Sequence, residues 1–471
     1  MQLTHGIVTD THVAYFAIVQ GCLQWLQQPI DAAALTSIGA YVDVANKHQL
    51  AQLWVLPGTG ISEAFSGYDD NFVTSSLQQY RVFPRELDSY LVARHVNRPG
   101  KEVTLVVPAY IRGLPQSVTH MPDAKALYAY VTYLQALLGV SFTRDAKGTG
   151  IELLYTVNNT PERKGITACT GYLRPVEADL TPFYSHKQRD ITWSRALLPE
   201  ETHLQYLHAI DRNTMYLAAT SGLHVGSGNY LHAVVSPGQV TSKLSAVHSI
   251  SFDKKQPGLW LVSLAGTTPF DTGLLPPLFA SGTWQDTAMV QAAIESGYQV
   301  TVHESYYFPE VHTMFNPWYI VLRDAINALV TDSTRFKNDT ARTAALETVK
   351  MLYKQAIGLM GRTPEADEKL KWYNRPDAYN AVIAESKRRM FVTIRELLAA
   401  NIHIVGVNLD EILFVSNQPL DQVLPDKVVI SDQIGKYKHK ATYPLADVAH
   451  MLTSNPHTFI QGLARYRKEV A

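Results

Sequence analysis

Apolar and polar positions recur along this chain in two rhythms. Periods of three and four mark helices at "DAKALYAYVTYLQALLGV", with Asp123 as its N-cap, and at about 316–331, 340–360 and 377–400. Short apolar runs bounded by turn residues mark strands. These are "QLWVL" after a helix end, "EVTLVVPAYI", "GTGIELLYTV", "HSISF", "GLWLVSLAG" and "GYQVTVHESYYF". Near the C-terminal end, "IHIVGVNLDEILFVSN" reads as strand, tight turn and strand, with a carboxylate at the turn. A second apolar run, "LHAIDRNTMYLAAT", carries the single carboxylate Asp211. The first 200 residues alternate helix and strand. Beyond them strands come first, then a helical pair joined by "TDSTRFKNDT", then a long helix and the hairpin. The pattern predicts an α+β protein preceded by an α/β N-terminal domain.

Composition narrows this picture. The chain has 471 residues, room for several domains with sizeable cores. Its net charge of −1 carries no global basic signature for nucleic acid, which leaves only a local groove for that role. The two cysteines, Cys22 and Cys169, are far apart and read as buried thiols in a reducing compartment. No window approaches an uninterrupted membrane-spanning run and no leader pattern opens the chain, which predicts a cytoplasmic protein with no membrane partner. "PGTGIS" lacks the lysine and spacing of a phosphate loop and reads as a turn, and the Asn158 sequon reads as chance.

Two separated carboxylates, each at the tip of an apolar strand, suit phosphoryl transfer through two divalent ions, because shared acidic ligands must be held rigidly. A triphosphate also needs cations from another element. The helical pair carries Arg323, Lys350 and Lys354 for that task.

These residues resemble motifs of family B DNA polymerases, in order and over about residues 200–445. "DRNTMYL" (211–217) is similar to the first palm motif, D-x-x-S-L-Y-P. "KMLYKQAIG" (350–358) is similar to the finger motif K-x-x-x-N-S-x-Y-G, and "VNLDEILFV" (407–415) to Y-G-D-T-D-S-x-x-V. "IGKYKHKATYPL" resembles the segment that follows in small protein-primed or mobile-element members. The resemblance implies metal ligation and catalysis by Asp211 and Asp410, using Mg²⁺ or Mn²⁺. Tyr216 would sit under the sugar of a deoxynucleoside triphosphate, and Lys350 would meet its phosphates with help from Arg323. Lys354 stands where the family has Asn, and Gly358 would let the finger helix approach the nascent base pair. The implied domains are palm at 200–315 and 377–445, fingers at 316–376 and a C-terminal tail at 446–471. The domain at 1–199 would be a degenerate exonuclease-like one.

The chain departs from the family pattern in three ways. Asn408 replaces the first acid of the hairpin motif, too few residues follow 445 for a usual thumb, and "VTDTHVAYF" is only an echo of an exonuclease motif. A reduced or absent thumb implies a partner protein that supplies grip or a primer. The implied partner nucleic acid is DNA, as primer-template or single strand. Lys436, Lys438 and Lys440 would share one face of a strand, and Arg388 and Arg389 lie in the helical cluster "SKRRMF"; both groups could track its backbone.

Plainer readings stand beside each of these. Asp211 could cap a helix beginning "RNTMYLAAT". Lys350 and Lys354 could be a solvated stripe and "SKRRMF" a solvated face, and the three lysines could protect a sheet edge. For the whole chain, the alternative to a nucleotidyltransferase is a catalytically inactive, polymerase-derived protein that binds nucleic acid or a partner.

Overall fold

The computed structural model describes residues 5–19, 22–31, 35, 38–57, 80–84, 90–95, 102–106, 108, 114–140, 146–158, 180–234, 252–363, 373–453 and 455–470. "PGTGIS" beyond Pro57, most of "HSISF" and Cys169 lie outside these. The chain divides into two compact units, one of residues 1–157 with 320–356, the other of 158–319 with 357–471.

The first unit is built on a mixed seven-stranded sheet. Its strands are β1 (His5–Val8), β2 (His12–Val19), β3 (Cys22–Pro29), β4 (Gln52–Val55), β5 (Tyr80–Pro84), β6 (Tyr90–His95) and β7 (Glu102–Val106). They lie in the order β3-β2-β1-β4-β7-β6-β5, with β1, β4 and β7 parallel. Helix α1 (Ile38–Lys47) packs Tyr41, Val42 and Ala45 into a core with Leu53, Val55 and Leu105. Helix α2 (Ala124–Leu138) begins where expected. The Asp123 carboxylate accepts from the Ala126 amide at 2.8 Å, and Gly139, at φ 68°, ends the helix by donating to Gln135.

"GTGIELLYTV", expected as a strand, lies instead in helix α3 (Ala146–Asn158). Its β-branched residues misled the reading, and close helix packing explains the glycine. A Cβ on Gly150 would come within 2.6 Å of the Leu352 carbonyl oxygen and 2.9 Å of Ala356. Gly150→Ala gains helix propensity of about 0.5–1 kcal/mol but forces backbone apart, at about 1–3 kcal/mol. A net loss of thermal stability in a melting experiment is the expected outcome. Asn158 is buried and donates to the Met314 carbonyl at 3.1 Å, so its side chain is already committed within the fold.

The second unit holds a five-stranded antiparallel sheet, β18-β9-β17-β16-β8. The strands are β8 (Thr192–Ser194), β9 (Tyr206–Arg212), β16 (His403–Asn408), β17 (Glu411–Ser416) and β18 (Tyr437–Pro444). A four-stranded sheet lies between them in sequence: β11 (Leu231–Val234), β12 (Gly258–Ala265), β13 (Thr283–Asp286) and β14 (Gln299–Tyr307). The short pair β10 (Val225–Ser227) and β15 (Glu310–His312) completes the strands.

Both faces of the five-stranded sheet are covered, which is why its strands read as unbroken apolar runs. On one face Ile210, Ile404, Ile412 and Phe414 meet Phe391, Ile394 and Leu397 of the long helix α8 (Pro376–Ala399). On the other, Leu207, Ala209, Leu413 and Val415 meet Phe459 and Leu463 of the C-terminal helix α9 (Pro456–Val470). Between β9 and the smaller sheet lies the short helix α4 (Met215–Thr220), and α5 (Thr287–Glu295) follows β13. The helical pair is α6 (Phe315–Thr331) and α7 (Asp339–Met360).

Candidate active site

Asp211 lies within β9 rather than capping a helix. Helix α4 begins after Thr214, which sits at φ 51°, and Asp211 pairs in register with Glu411 on one side and Lys438 on the other. The row continues from Glu411 to Asn408 and from Asn408 to Thr192. Side chains in such a row share one face of the sheet, so Asn408, Glu411, Asp211 and Lys438 are neighbours by construction.

Asp410 arrives from the turn between β16 and β17. Leu409 takes a left-handed φ of 58° there, a conformation that costs a non-glycine residue free energy and re-aims the residue that follows. The Arg212 amide donates to the Asp410 carbonyl at 2.8 Å, which ties the turn to the end of β9. The structure thereby brings the Asp211 and Asp410 carboxyls near enough for the charge of one to act on the other. Burial, then the Asp211 charge, push the Asp410 carboxyl up to about 6. Two acids share one small volume, an arrangement that a cation relieves.

Cations of the chain already stand close. Lys438 Nζ lies 2.6 Å from Asp211 Oδ2. Glu411 is buried and doubly paired, with Lys440 at 3.0 Å and Arg467 of α9 at 2.7 Å. Of the three lysines, Lys438 and Lys440 turn to carboxylates of one row, and Lys436 lies outside the strand. A bulge interrupts β18 between His439 and Ala441.

Tyr216 projects from α4 and donates to Asp190 Oδ1 at 2.6 Å. Burial, then that hydrogen bond and the nearby charges of Asp190 and Asp410, raise its phenol well above the ordinary range. The tyrosine hydroxyl is thus anchored on Asp190, within range of the Asp410 charge.

The other sequence-selected residues are placed as follows. Arg388 and Arg389 of α8 are engaged within the second unit. Arg388 pairs with Glu385 at 2.8 Å and Glu295 at 3.1 Å, while Arg389 pairs with Glu385 at 2.6 Å and donates to the Ala218 carbonyl at the end of α4. These contacts hold both guanidinium groups against neighbouring elements of the second unit. Arg323, Lys350 and Lys354 belong to the first compact unit, on α6 and α7. Arg323 pairs with Asp324 at 2.7 Å, Lys350 is half-buried and Lys354 is exposed. Gly358 is exposed, and a Cβ there would meet nothing within 4 Å.

Sequence reasoning missed Asp190, Glu411 and Arg467. Glu411 adjoins Asp410 in "LDEI" and was open to discovery there. Asp190 sits in an aperiodic polar segment, and Arg467 in a helix that carries no motif.

Among the described residues no group of three or more His, Cys, Asp or Glu side chains is arranged as a metal cage. The donor set fits a divalent ion of the Mg²⁺ type nonetheless. Such an ion binds one or two carboxylates and completes its shell with water and substrate phosphate. Lys438, a cation already seated on Asp211, shows that positive charge is accommodated at this spot.

No family model matches this chain, and no curated protein does. Solved structures with a similar outline include Phi29 DNA polymerase complexed with primer-template DNA, 11% identical, with 94% of this chain and 85% of that chain covered and a TM-score of 0.48. The ternary complex of Phi29 DNA polymerase with primer-template DNA and incoming nucleotide is also 11% identical, over 93% and 85% of the chains, with a TM-score of 0.48. Its complex with single-stranded DNA is 11% identical over 94% and 84%, with a TM-score of 0.45. Likenesses at this level concern outline alone, and the site stands on its own geometry. Among the described residues no helix is long and apolar enough to cross a membrane.

Proposed function

We propose that this chain is a DNA polymerase-type nucleotidyltransferase whose reaction centre is the Asp211–Asp410 pair. One observation carries the reading. Two acids distant in sequence, one within a buried strand and one after a left-handed turn residue, lie near each other at one end of the five-stranded sheet.

Asp211 and Asp410 would hold Mg²⁺ or Mn²⁺, which supplies charge neutralisation on the phosphates of a deoxynucleoside triphosphate and on the attacking hydroxyl. The protein's own residues position and screen. The sheet fixes Asp211, the Arg212 amide fixes the turn that carries Asp410, and Lys440 with Arg467 neutralises Glu411 so that it adds no unpaired charge. Tyr216, anchored on Asp190, would lie against the sugar and exclude a 2′-hydroxyl. Lys350, with Arg323 and Lys354, would meet the triphosphate from the helical pair, and Gly358, bare on its outer side, would leave room for the new base pair.

In this reading residues 200–315 and 377–445 act as the palm, 316–376 as fingers and 1–199 as a degenerate exonuclease-like domain. Residues 446–471 would follow the palm as a C-terminal segment, and a partner protein would supply grip on the duplex or the primer. DNA would run past Lys436, Lys438 and Lys440, and the protein would act in the cytoplasm in replication of a mobile element.

The test is primer extension with Mg²⁺ or Mn²⁺, comparing wild type with Asp211→Ala and Asp410→Ala. A separate expectation concerns the sugar. Tyr216→Ala removes the ring and the Asp190 anchor together, and the preference for deoxynucleotides over ribonucleotides should fall about 10- to 100-fold, in line with 1–3 kcal/mol for a lost steric contact. Competition between dNTP and rNTP in single-nucleotide incorporation measures it, and an unchanged ratio would remove Tyr216 from the sugar pocket.

A second reading is favoured by Asn408 in the carboxylate row and by Lys438 on Asp211. These lower the negative charge available to metal, as in a polymerase-derived protein that binds nucleic acid without synthesis. Binding retained with no extension by the wild type identifies it.

A further inference from the structure

The two lysine–carboxylate pairs of β18 differ. Lys440 shares Glu411 with Arg467, so that carboxylate is buried between two cations and stays neutralised if either moves. Asp211 has Lys438 as its ion-pair partner among the described residues. The two ends of this pair are unequal. The Asp211 side chain is 9% exposed and fixed in a central strand, whereas the Lys438 side chain is 45% exposed, on the edge strand. The ammonium can swing into solvent and the carboxylate cannot follow. At 2.6 Å from Oδ2 the ammonium fills the space in which a divalent ion would approach that oxygen to about 2.1 Å. With the ammonium there, an incoming ion meets a like charge at close range and a carboxylate whose charge is already partly neutralised.

We propose that Lys438 is a tethered counter-ion that competes with the divalent cation for Asp211, so that loading the site requires its ammonium to leave. The proposal rests on the reading of Asp211 and Asp410 as cation ligands and adds a control to it. Binding that needs the ammonium elsewhere is weakened by the fraction of molecules in which the pair is closed. By linkage, a phosphate that draws the ammonium away strengthens cation binding by the same factor that the cation strengthens phosphate binding. Nucleic acid or triphosphate arriving at the edge of β18 therefore favours metal loading, and metal loading favours its retention.

The test is a Mn²⁺ titration of the full chain at about 0.1 M salt, with no nucleotide or nucleic acid, reading free Mn²⁺ by electron paramagnetic resonance. Wild type is compared with Lys438→Ala, Lys438→Arg and Asp211→Asn. An exposed pair contributes modestly and is screened by salt, so Lys438→Ala should bind Mn²⁺ about 3- to 30-fold more tightly, while Lys438→Arg stays near wild type. Asp211→Asn should lose the site. Lys438→Ala binding no tighter than wild type, with Asp211→Asn still abolishing it, overturns the counter-ion and leaves the metal site standing. Mn²⁺ binding that ignores Asp211→Asn in both the wild-type and Lys438→Ala backgrounds overturns both.

Discussion

Under the proposed function, Asp211→Ala and Asp410→Ala are each expected to reduce metal-dependent nucleotide incorporation by at least about 10³-fold, roughly 4 kcal/mol of transition-state stabilisation. The size follows from the division of labour in phosphoryl transfer, where the protein mostly positions charge against charge. Neither acid can replace the other, because one is locked in β9 and the other on the turn after Leu409. The double variant should be little worse than either single one, since groups that act as a unit are strongly non-additive. Folding should survive. The Asp211 charge opposes ionisation of its neighbour Asp410, so removing it relieves repulsion. Single-turnover incorporation measures the loss, and a matched thermal melt separates it from unfolding. Activity within tenfold of wild type in either variant would remove that acid from the reaction centre.

The largest effect on stability is expected at Glu201, far from any motif. Its carboxylate is fully buried and accepts two hydrogen bonds of 2.6 Å from Arg195, one of 2.8 Å from the Leu198 amide and one of 2.9 Å from His403. The cluster joins the segment after β8 to the start of β16. Glu201→Ala leaves the buried Arg195 guanidinium without its partner, at about 3–5 kcal/mol. That corresponds to a fall of roughly 10 °C in the melting of the second unit. The acid dependence has a defined sign. Burial alone would raise this carboxyl, but the Arg195 hydrogen bonds, the Leu198 amide and the charges of Arg195 and His403 hold it below its ordinary value of 4.5. Its contribution is therefore present above about pH 4.5 and is lost as pH falls through the depressed folded value. Wild type should lose stability in that acid window, and Glu201→Gln should lack this component. Equal slopes of stability against pH for the two proteins would contradict the assignment.

Most of the second unit was legible in the sequence for a physical reason. A sheet covered on both faces needs unbroken apolar strands, so "IHIVGVNLDEILFVSN" could only fold as a hairpin broken at its polar centre. The three long helices showed their period because each keeps one face buried. Helix α3 was not legible because its β-branched residues favour a strand locally, while its glycine serves a packing contact with Leu352 that no local pattern encodes. The lysines of β18 illustrate the same limit. A period-two count gives them a common face, while the bulge at Lys440 and the register opposite Asp211 decide which carboxylates Lys438 and Lys440 meet. At the site, Asp211 and Asp410 were legible as acids closing apolar runs. Asp190 was not, because only the folded chain places it at the Tyr216 hydroxyl.

Under the proposed function Asp211 and Asp410 are expected to hold one cation between them. An anomalous-difference map from a crystal of this protein soaked in Mn²⁺ tests it most directly. The account predicts a peak within about 2.3 Å of oxygens from both carboxylates, with the Lys438 ammonium moved off Asp211. Side chains that stay apart with no peak between them, or manganese bound only elsewhere on the molecule, would contradict it.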